Sequence, residues 1–316
     1  MPLVSVVMSV YNGERYLREA VDSILRQTFT DFEFIIINDG STDGTREILE
    51  SYQDERIVLI HQENMGLTKS LNKGIALARG KYIARQDADD FSLPERFATQ
   101  VSFLDRECDI SMVGSAVQVV DKSGEVLTTF KNPTGSSEIK EILKKYNCFW
   151  HGSVMFRREC LTSVGCYNER FGTAQDYDLW LRYSEKLNLA NLPEPFYAYR
   201  VSPEAITFKK IVSQHRLANL ARRLARIRSV GGDEIAELEI YEKESLKPLS
   251  KTEKFEIIGN YKPWCRLLIK SGLLLDAKEM MSEVFRYHPS RIFRFAFSCA
   301  KNINSPQLLT RFIEHA

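Results

Sequence analysis

The chain of 316 residues lacks most of the features that would assign it to a special class. It carries almost no net field, since 43 basic and 42 acidic residues leave +1, and nothing global draws it to nucleic acid. No stretch approaches the roughly 18 uncharged apolar residues that a membrane span needs. The six cysteines (Cys108, Cys148, Cys160, Cys166, Cys265, Cys299) contain no C-x-x-C spacing, which fits free thiols in a reducing compartment better than zinc or disulfides. The N-terminus has no basic segment and no small-residue cleavage site ahead of its first apolar run, so a cytoplasmic protein is expected. No G-x-x-x-x-G-K-[ST] or G-x-G-x-x-G occurs, which removes the P-loop and the Rossmann dinucleotide site. His61, His151, His215, His288 and His315 do not assemble with any serine or cysteine into a recognisable triad, and there is neither an internal repeat nor a low-complexity tract.

What is present is an alternation. Leu3–Val10, Phe32–Ile37, Ile57–Ile60 and Tyr82–Ala84 read as buried strands, and the intervening Glu14–Gln27, Asp43–Tyr52 and Leu67–Ala78 read as helices with apolar residues at the 3.6-residue period. Strands and helices joined by short connections imply βαβ crossovers, hence an α/β fold with a parallel sheet covered on both faces. Ligands bind such sheets beyond the carboxyl ends of the strands. That rule puts Ser9–Tyr11, Asn38–Ser41, Asn64–Gly66 and Asp87–Asp90 on one rim. Further on, a helix from about Glu95 to Asp105, a strand Ile110–Val120 and a hairpin across Asp121–Gly124 into Val126–Phe130 are expected. Phe149–Phe156 reads as another strand, a helix opens near Asp176, Pro193 and Pro195 frame a loop, and Phe196–Arg200 is the last strand. Near residue 205 the composition turns helical and basic, with Lys209, Lys210, Arg216, Arg222, Arg223, Arg226 and Arg228 in one run, so residues 1–205 and 206–316 are read as separate regions. Lys247-Pro248 and Lys262-Pro263 punctuate the second of them.

The largest concentration of charge is Asp87-Ala88-Asp89-Asp90 at the end of the fourth strand. Carboxylates so close repel unless solvated or neutralised, and a hard divalent cation is the usual neutraliser of an Asp-x-Asp at a strand end. The bland alternative is a solvated acidic turn. Asp39, Ser41, Asp43, Gly44 and Glu50 match positions of a calcium loop, but that loop must follow a helix and this one follows a strand. The stretch reads instead as a strand-to-helix turn, with Ser41 or Asp43 capping the helix.

Five ordered segments carry a resemblance: Ser5–Asn12, Ile37–Thr45, Asn64–Leu67, Asn72–Gly74 and Ala78–Asp90. In order and spacing they resemble family 2 glycosyltransferases, and the likeness covers roughly residues 3 to 200. It implies an α/β GT-A-like fold, a doubly wound mixed sheet with a helical C-terminal extension, divided into a nucleotide-binding half (1–92) and an acceptor half (93–205). It implies an inverting transfer of a sugar from a nucleotide-diphosphate donor, a UDP-sugar by first expectation, to a hydroxyl of a saccharide or lipid-linked saccharide in cell-surface polysaccharide synthesis. Carried over residue by residue, Ser9 and Tyr11 lie at the nucleotide, with Tyr11 against the base. Asp39 accepts from the base edge, and Lys69 sits near the base or diphosphate. Asp87, Ala88 and Asp89 form the Asp-x-Asp element, in which Asp87 and Asp89 meet Mn²⁺ or Mg²⁺. The family's first acidic residue of the second segment is Asn38 here.

Gly172–Arg182 resembles the family's acidic-Asp-x-x-Leu-Trp helix start, which implies Asp176 as the catalytic base, with Asp178 the alternate and Gln175 in place of the preceding acid. An Asp at a helix N-terminus is also an ordinary cap. Trp150–Ser153 resembles the strand that floors the acceptor site, leaving His151 either a ligand or a packed side chain. The chemistry is coherent: a metal offsets the charge developing on the leaving diphosphate, and a positioned carboxylate takes the acceptor proton, an effect of about 10²–10⁴-fold. Two rivals stand beside it. One is a nucleotidyltransferase making sugar nucleotides, whose glycine-rich loop should follow the first strand where Tyr11–Arg15 stands. The other is a non-catalytic carbohydrate- or calcium-binding protein. The basic run and Arg291–Phe297 suit peripheral contact with the cytosolic face of a membrane, or else a solvated helical face with packed aromatics.

Overall fold

The four apolar runs of the first part form parallel strands: β1 (Val4–Val10), β2 (Phe32–Asp39), β3 (Ile57–Gln62) and β4 (Tyr82–Arg85). Every residue of β1 and β2 is buried, as β-branched strands covered on both faces must be. Helix α1 (Leu17–Leu25) buries Leu17, Ala20, Val21 and Ile24, one stripe at helical spacing. Helices α2 (Thr45–Glu50) and α3 (Leu67–Leu77) complete the crossovers. Gly74 explains the glycine of the Asn72–Gly74 segment, because a Cβ there would stand 2.7 Å from Val7 Cγ1 and push α3 off the sheet.

The order β3-β2-β1-β4 reverses direction between β1 and β4. Crossovers on either side of that point leave for opposite faces, so a crevice opens between the carboxyl ends of β1 and β4. Ser9–Tyr11 follow one of these ends and Asp87–Asp90 the other.

Beyond it lie β5 (Phe91–Ser92), α4 (Arg96–Arg106), β6 (Ile110–Val120), β7 (Val126–Phe130), α5 (Ser136–Leu143), a 3₁₀ turn at His151–Ser153, β8 (Met155–Arg157), α6 (Cys160–Val164), α7 (Gln175–Lys186) and β9 (Asn188–Arg200). The sheet continues as β4-β8-β6-β9-β5, with β7 paired to β6. Because β8 runs antiparallel to both β4 and β6, the sheet is mixed, as the GT-A resemblance implies and the bare alternation did not.

Three local readings are corrected. Strand β8 begins only at Met155, because His151–Ser153 turn tightly before it. Pro193 and Pro195 lie inside β9: Ser115 faces Leu192 and Ala116 faces Pro195, so Pro193 and Glu194 bulge out of the ladder, and Pro195 stands between two register shifts. The N-cap of α2 is Gly44, not Ser41 or Asp43.

The computed structural model describes residues 1–202 and 209–285, in two units: Met1–Arg200 with Ala221–Gly231, and Val201–Leu220 with the chain from Gly232. In the first, Arg222 donates to Lys145 O and Arg228 pairs with Glu185. The second contains helices Glu234–Ser245 and Lys251–Lys270, the latter opened by a Ser250/Glu253 capping box and continuing through Pro263. Its buried Ile257, Tyr261, Cys265 and Leu268 outweigh a proline cost of about 3 kcal/mol. Arg216 pairs with Glu253, so at least three cations of the basic run are bound to protein. No described helix is long and apolar enough to cross a membrane, and Arg291–Phe297 lies outside the described residues.

Candidate active site

Burial of β4 delivers its last residue, Arg85, into the protein with only 2% of its surface exposed. Its guanidinium donates to Val7 O at 3.2 Å and pairs with Asp87 Oδ1 at 2.5 Å. That leaves the second oxygen of Asp87, a side chain 28% exposed, for a ligand. Asp89 has its carboxyl pushed up to about 6, first by burial and then by the neighbouring charge of Asp87. A carboxyl so raised beside a second carboxylate is part of a donor set that gains from a hard cation. No group of three or more His, Cys, Asp or Glu among the described residues could hold a metal alone, so an ion there needs further oxygen ligands.

Asp90 does not share this work. It is buried, accepts from Tyr197 Oη at 3.0 Å and from the Arg200 amide at 2.7 Å, and burial followed by the charges of Asp89 and Asp87 raises its carboxyl well above the usual range. Tyr197 Oη also accepts from the Asp87 amide at 3.2 Å. Its hydroxyl therefore closes the loop from the β9 side. The Gln86 amide closes it from within, donating to Asp87 O at 2.9 Å and Asp90 O at 3.0 Å.

The β1 loop is fastened to the β2 loop by a series of short bonds. The Asn12 amide donates to Ser41 Oγ at 3.0 Å, the Thr42 amide to Asn12 Oδ1 at 2.8 Å, the Gly13 amide to Thr45 Oγ1 at 2.8 Å and the Glu14 amide to Asp43 Oδ2 at 3.1 Å. Asn12 adopts φ +52°, a left-handed conformation that asparagine tolerates. Tyr11 stands 53% exposed on this braced loop, while Ser9 is buried within β1. Gly13 borders the acidic loop: a Cβ on it would lie 3.8 Å from the Cβ of Ala88.

Asp39 is buried and already receives three donors, Gln62 Nε2 at 2.8 Å, the Met65 amide at 2.8 Å and the Gly66 amide at 2.9 Å. A carboxylate offers about four lone-pair positions, so one remains after it has shaped the entry to α3. Lys69 lies exposed on the first turn of α3, and no described contact ties it to the acidic loop.

Asp176 stands in the first turn of α7, whose N-cap Ala174 is a non-glycine residue held at φ +55°. Such backbone is found where the surroundings over-determine it, often beside functional groups. Its carboxylate accepts from Asn147 Nδ2 at 2.8 Å and is pushed up to about 6, chiefly by burial, with the charge of Asp87 adding to the effect. The two carboxylates therefore share one electrostatic field. Asp178 is 1% exposed and paired with Arg182 at 2.9 Å, a structural use. His151 is packed: Nε2 lies 2.7 Å from Tyr167 Oη, the ring edges meet Tyr167 and Trp180, and burial with the Arg85 charge pushes it down to about 3. The Tyr167 bond and the two ring edges hold His151 in place within its turn.

Sequence reasoning had not placed Gln86, Tyr197, Arg200, Gln100 or Asn147 at the site. Gln86 alone lies inside a recognised segment; Tyr197 and Arg200 arrive on β9, Gln100 on α4 and Asn147 on the loop after α5.

A family model described as Glycosyl transferase family 2 matches residues 5–165. An uncharacterized glycosyltransferase of Methanocaldococcus jannaschii is 41% identical over 187 residues, 57% of this chain and 64% of its own, so this chain spans just under two thirds of that relative. The O-antigen biosynthesis glycosyltransferase WbnJ of Escherichia coli is 32% identical over 229 residues, 71% of this chain and 89% of its own. Among solved structures, Staphylococcus aureus TarS 1-349 in complex with UDP superposes with a TM-score of 0.57 at 19% identity, covering 93% of this chain and 83% of that one. The mannosyltransferase PcManGT of Pyrobaculum calidifontis, in complex with GDP-Man and Mn²⁺, gives 0.56 at 16% identity, covering 99% and 83%.

Proposed function

The chain belongs to glycosyl transferase family 2, and from that premise we propose that it transfers a sugar, with inversion, from a nucleotide-diphosphate donor to a hydroxyl of a saccharide or lipid-linked saccharide. The observation that carries this reading is the pair Asp87 and Asp89 at the β1/β4 crevice, in the same field as a third, separately held carboxylate, Asp176. The naming of WbnJ for O-antigen biosynthesis supports a role in cell-surface polysaccharide synthesis, and a UDP-sugar is the first donor to try.

Asp87, through its oxygen not engaged by Arg85, and Asp89 would hold a divalent cation, with Mn²⁺ or Mg²⁺ suited to their hard oxygens. When bound, that ion offsets the negative charge developing on the departing diphosphate. The protein's own groups do the rest. Arg85 holds Asp87 aimed through their ion pair, and Tyr11 offers an exposed ring to the base from a loop too braced to collapse. Asp176, oriented by Asn147, takes the proton of the acceptor hydroxyl as it attacks the anomeric carbon opposite the leaving group, which inverts the configuration there. A carboxylate near pKa 6 is a better base than an ordinary one and is still ionised at neutral pH.

A screen of UDP-, GDP- and TDP-sugars with Mn²⁺, read by thermal shift and by release of nucleoside diphosphate, tests the reading. A donor that stabilises the protein and is turned over with Mn²⁺ supports it. Pyrophosphate-dependent conversion of the same donors to nucleoside triphosphate and sugar 1-phosphate, with no release of nucleoside diphosphate, would make it a nucleotidyltransferase.

A further inference from the structure

Arg96 is fully buried in the first turn of α4, and all of its guanidinium nitrogens donate to groups around the site. Nη2 donates to Arg85 O at 2.9 Å and to Val154 O at 3.1 Å, so one planar fork joins the end of β4 to the residue before β8. Nη1 donates to Ser92 Oγ at 2.8 Å and reaches Gln86 Oε1 at 3.4 Å, and Nε donates to Gln100 Oε1 at 3.1 Å. Two glutamines carry this anchorage outward. Ser92 Oγ donates to Gln86 Oε1 at 2.7 Å, and the other end of that amide holds Asp87 O and Asp90 O. Gln100 Nε2 donates to Ser153 O at 2.8 Å, at the close of the turn that carries His151 and Gly152. Gly152 has no slack: a Cβ on it would meet Asp87 Oδ2 at 2.9 Å and overlap Tyr197 Oη.

We propose that Gln86 and Gln100 are positioning residues, two arms of one buried arginine anchor, the first setting the carboxylate loop and the second setting the His151–Ser153 turn against it. The inference rests on the reading of the crevice as a metal–nucleotide site with the acceptor on the far side. The arms differ in what they touch, so they differ in what they control. Beyond Arg96 and Ser92, the Gln86 side chain reaches only the loop that bears Asp87 and Asp89, and its loss loosens ligands without moving the turn. Gln100 reaches only the turn and the β6 carbonyl of Val113, and its loss moves the acceptor side while the carboxylate loop keeps its tether. Site groups held to within about half an ångström need such support, since small misplacements cost large factors in rate.

The test compares Gln86→Met and Gln100→Met, unbranched replacements of similar length that add no charge, in the full chain. Mn²⁺ affinity is read by electron paramagnetic resonance of free Mn²⁺ with UDP and with GDP, and kcat and KM are read for the donor that the wild type turns over. The expected result is a split. Gln86→Met weakens Mn²⁺–nucleotide binding by about tenfold or more, whereas Gln100→Met leaves it within about twofold and lowers kcat by about tenfold or more. Equal losses in both quantities for both variants, or losses that merely follow the fall in Tm, would overturn the assignment. Arg96→Lys, which keeps the charge but cannot bridge Arg85 O and Val154 O together, should show both defects at once; a binding constant and kcat like those of wild type would also overturn it. If the wild type binds neither nucleotide with Mn²⁺, the functional reading itself fails and the inference falls with it; normal wild-type binding with unsplit variants removes the inference alone.

Discussion

Tyr197 Oη lies 3.0 Å from Asp90 Oδ2 and donates to it, across a sequence separation of 107 residues. The same oxygen accepts from the amide of Asp87, so a single hydroxyl on β9 holds both ends of the acidic loop. Tyr197→Phe leaves a buried amide and a buried carboxyl without that partner, a loss of about 1–3 kcal/mol of stability. Denaturant unfolding should show this as a lower midpoint at an unchanged m-value.

Asp89→Ala removes one of the two carboxylates offered to a cation. Nucleoside diphosphate binding is then expected to lose its dependence on Mn²⁺. Calorimetric titration with UDP and GDP, each with the metal and with chelator, measures it; equal metal dependence in variant and wild type would remove Asp89 from the metal site.

Asp176→Asn separates binding from transfer. Donor affinity should stay near wild type while turnover falls by on the order of 10²-fold or more. In the wild type the base must be ionised, so log kcat/KM should fall with unit slope as pH drops through about 6. A profile flat to pH 5 would exclude Asp176 as the base.

The same carboxyl makes a stability prediction of opposite sense. Its folded pKa lies above the ordinary value of 3.8, so the native state binds more protons than the unfolded chain between about pH 4 and 6. Stability linked to this group is therefore lost as pH rises through that window and stays lost above it. Asp176→Asn, whose amide oxygen still accepts from Asn147, should stabilise the protein at pH 7.5, by on the order of 1–3 kcal/mol, and should give little gain at pH 4. Melting curves at the two pH values provide the check.

Glu33 supplies a control remote from the crevice. Burial would raise its carboxyl, but bonds from Ser5 Oγ at 2.7 Å and from the Arg79 amide and guanidinium win and lower it. A depressed carboxylate stabilises above its unfolded value, and that contribution is lost as pH falls below about 4.5 through the folded one. Glu33→Gln should cost about 1–3 kcal/mol at pH 7, with the difference from wild type shrinking toward pH 3 and donor binding unaffected.

The half of the fold made by local alternation was legible in the residues. The runs Val4–Val10 and Phe32–Asp39 are too apolar and too short to be anything but buried strands, and the helices between them show their stripe. The antiparallel insertion of β8 between β4 and β6 was not, because Met155–Arg157 is three residues long and its place depends on partners far away in sequence. At the site, Asp87, Asp89 and Asp176 announce themselves by charge and motif. Their supports do not: a buried Arg96 looks like any helix cation until its donors are followed to Arg85 O, Val154 O and the side chains of Gln86, Ser92 and Gln100. Asp39 shows the converse, a recognisable motif residue whose carboxylate turns out to serve the Met65–Gly66 turn as well as the rim.

The tether from Tyr197 also orders events during synthesis. Residues up to β4 emerge from the ribosome with the strands and carboxylates of the crevice already present, but the hydroxyl that closes the acidic loop is made more than a hundred residues later. At elongation rates of about 5–20 residues per second, the nascent chain spends several seconds with Asp87, Asp89 and Asp90 unfastened. The acidic loop is thus fastened late in the growth of the polypeptide, only once β9 has slotted in beside β6.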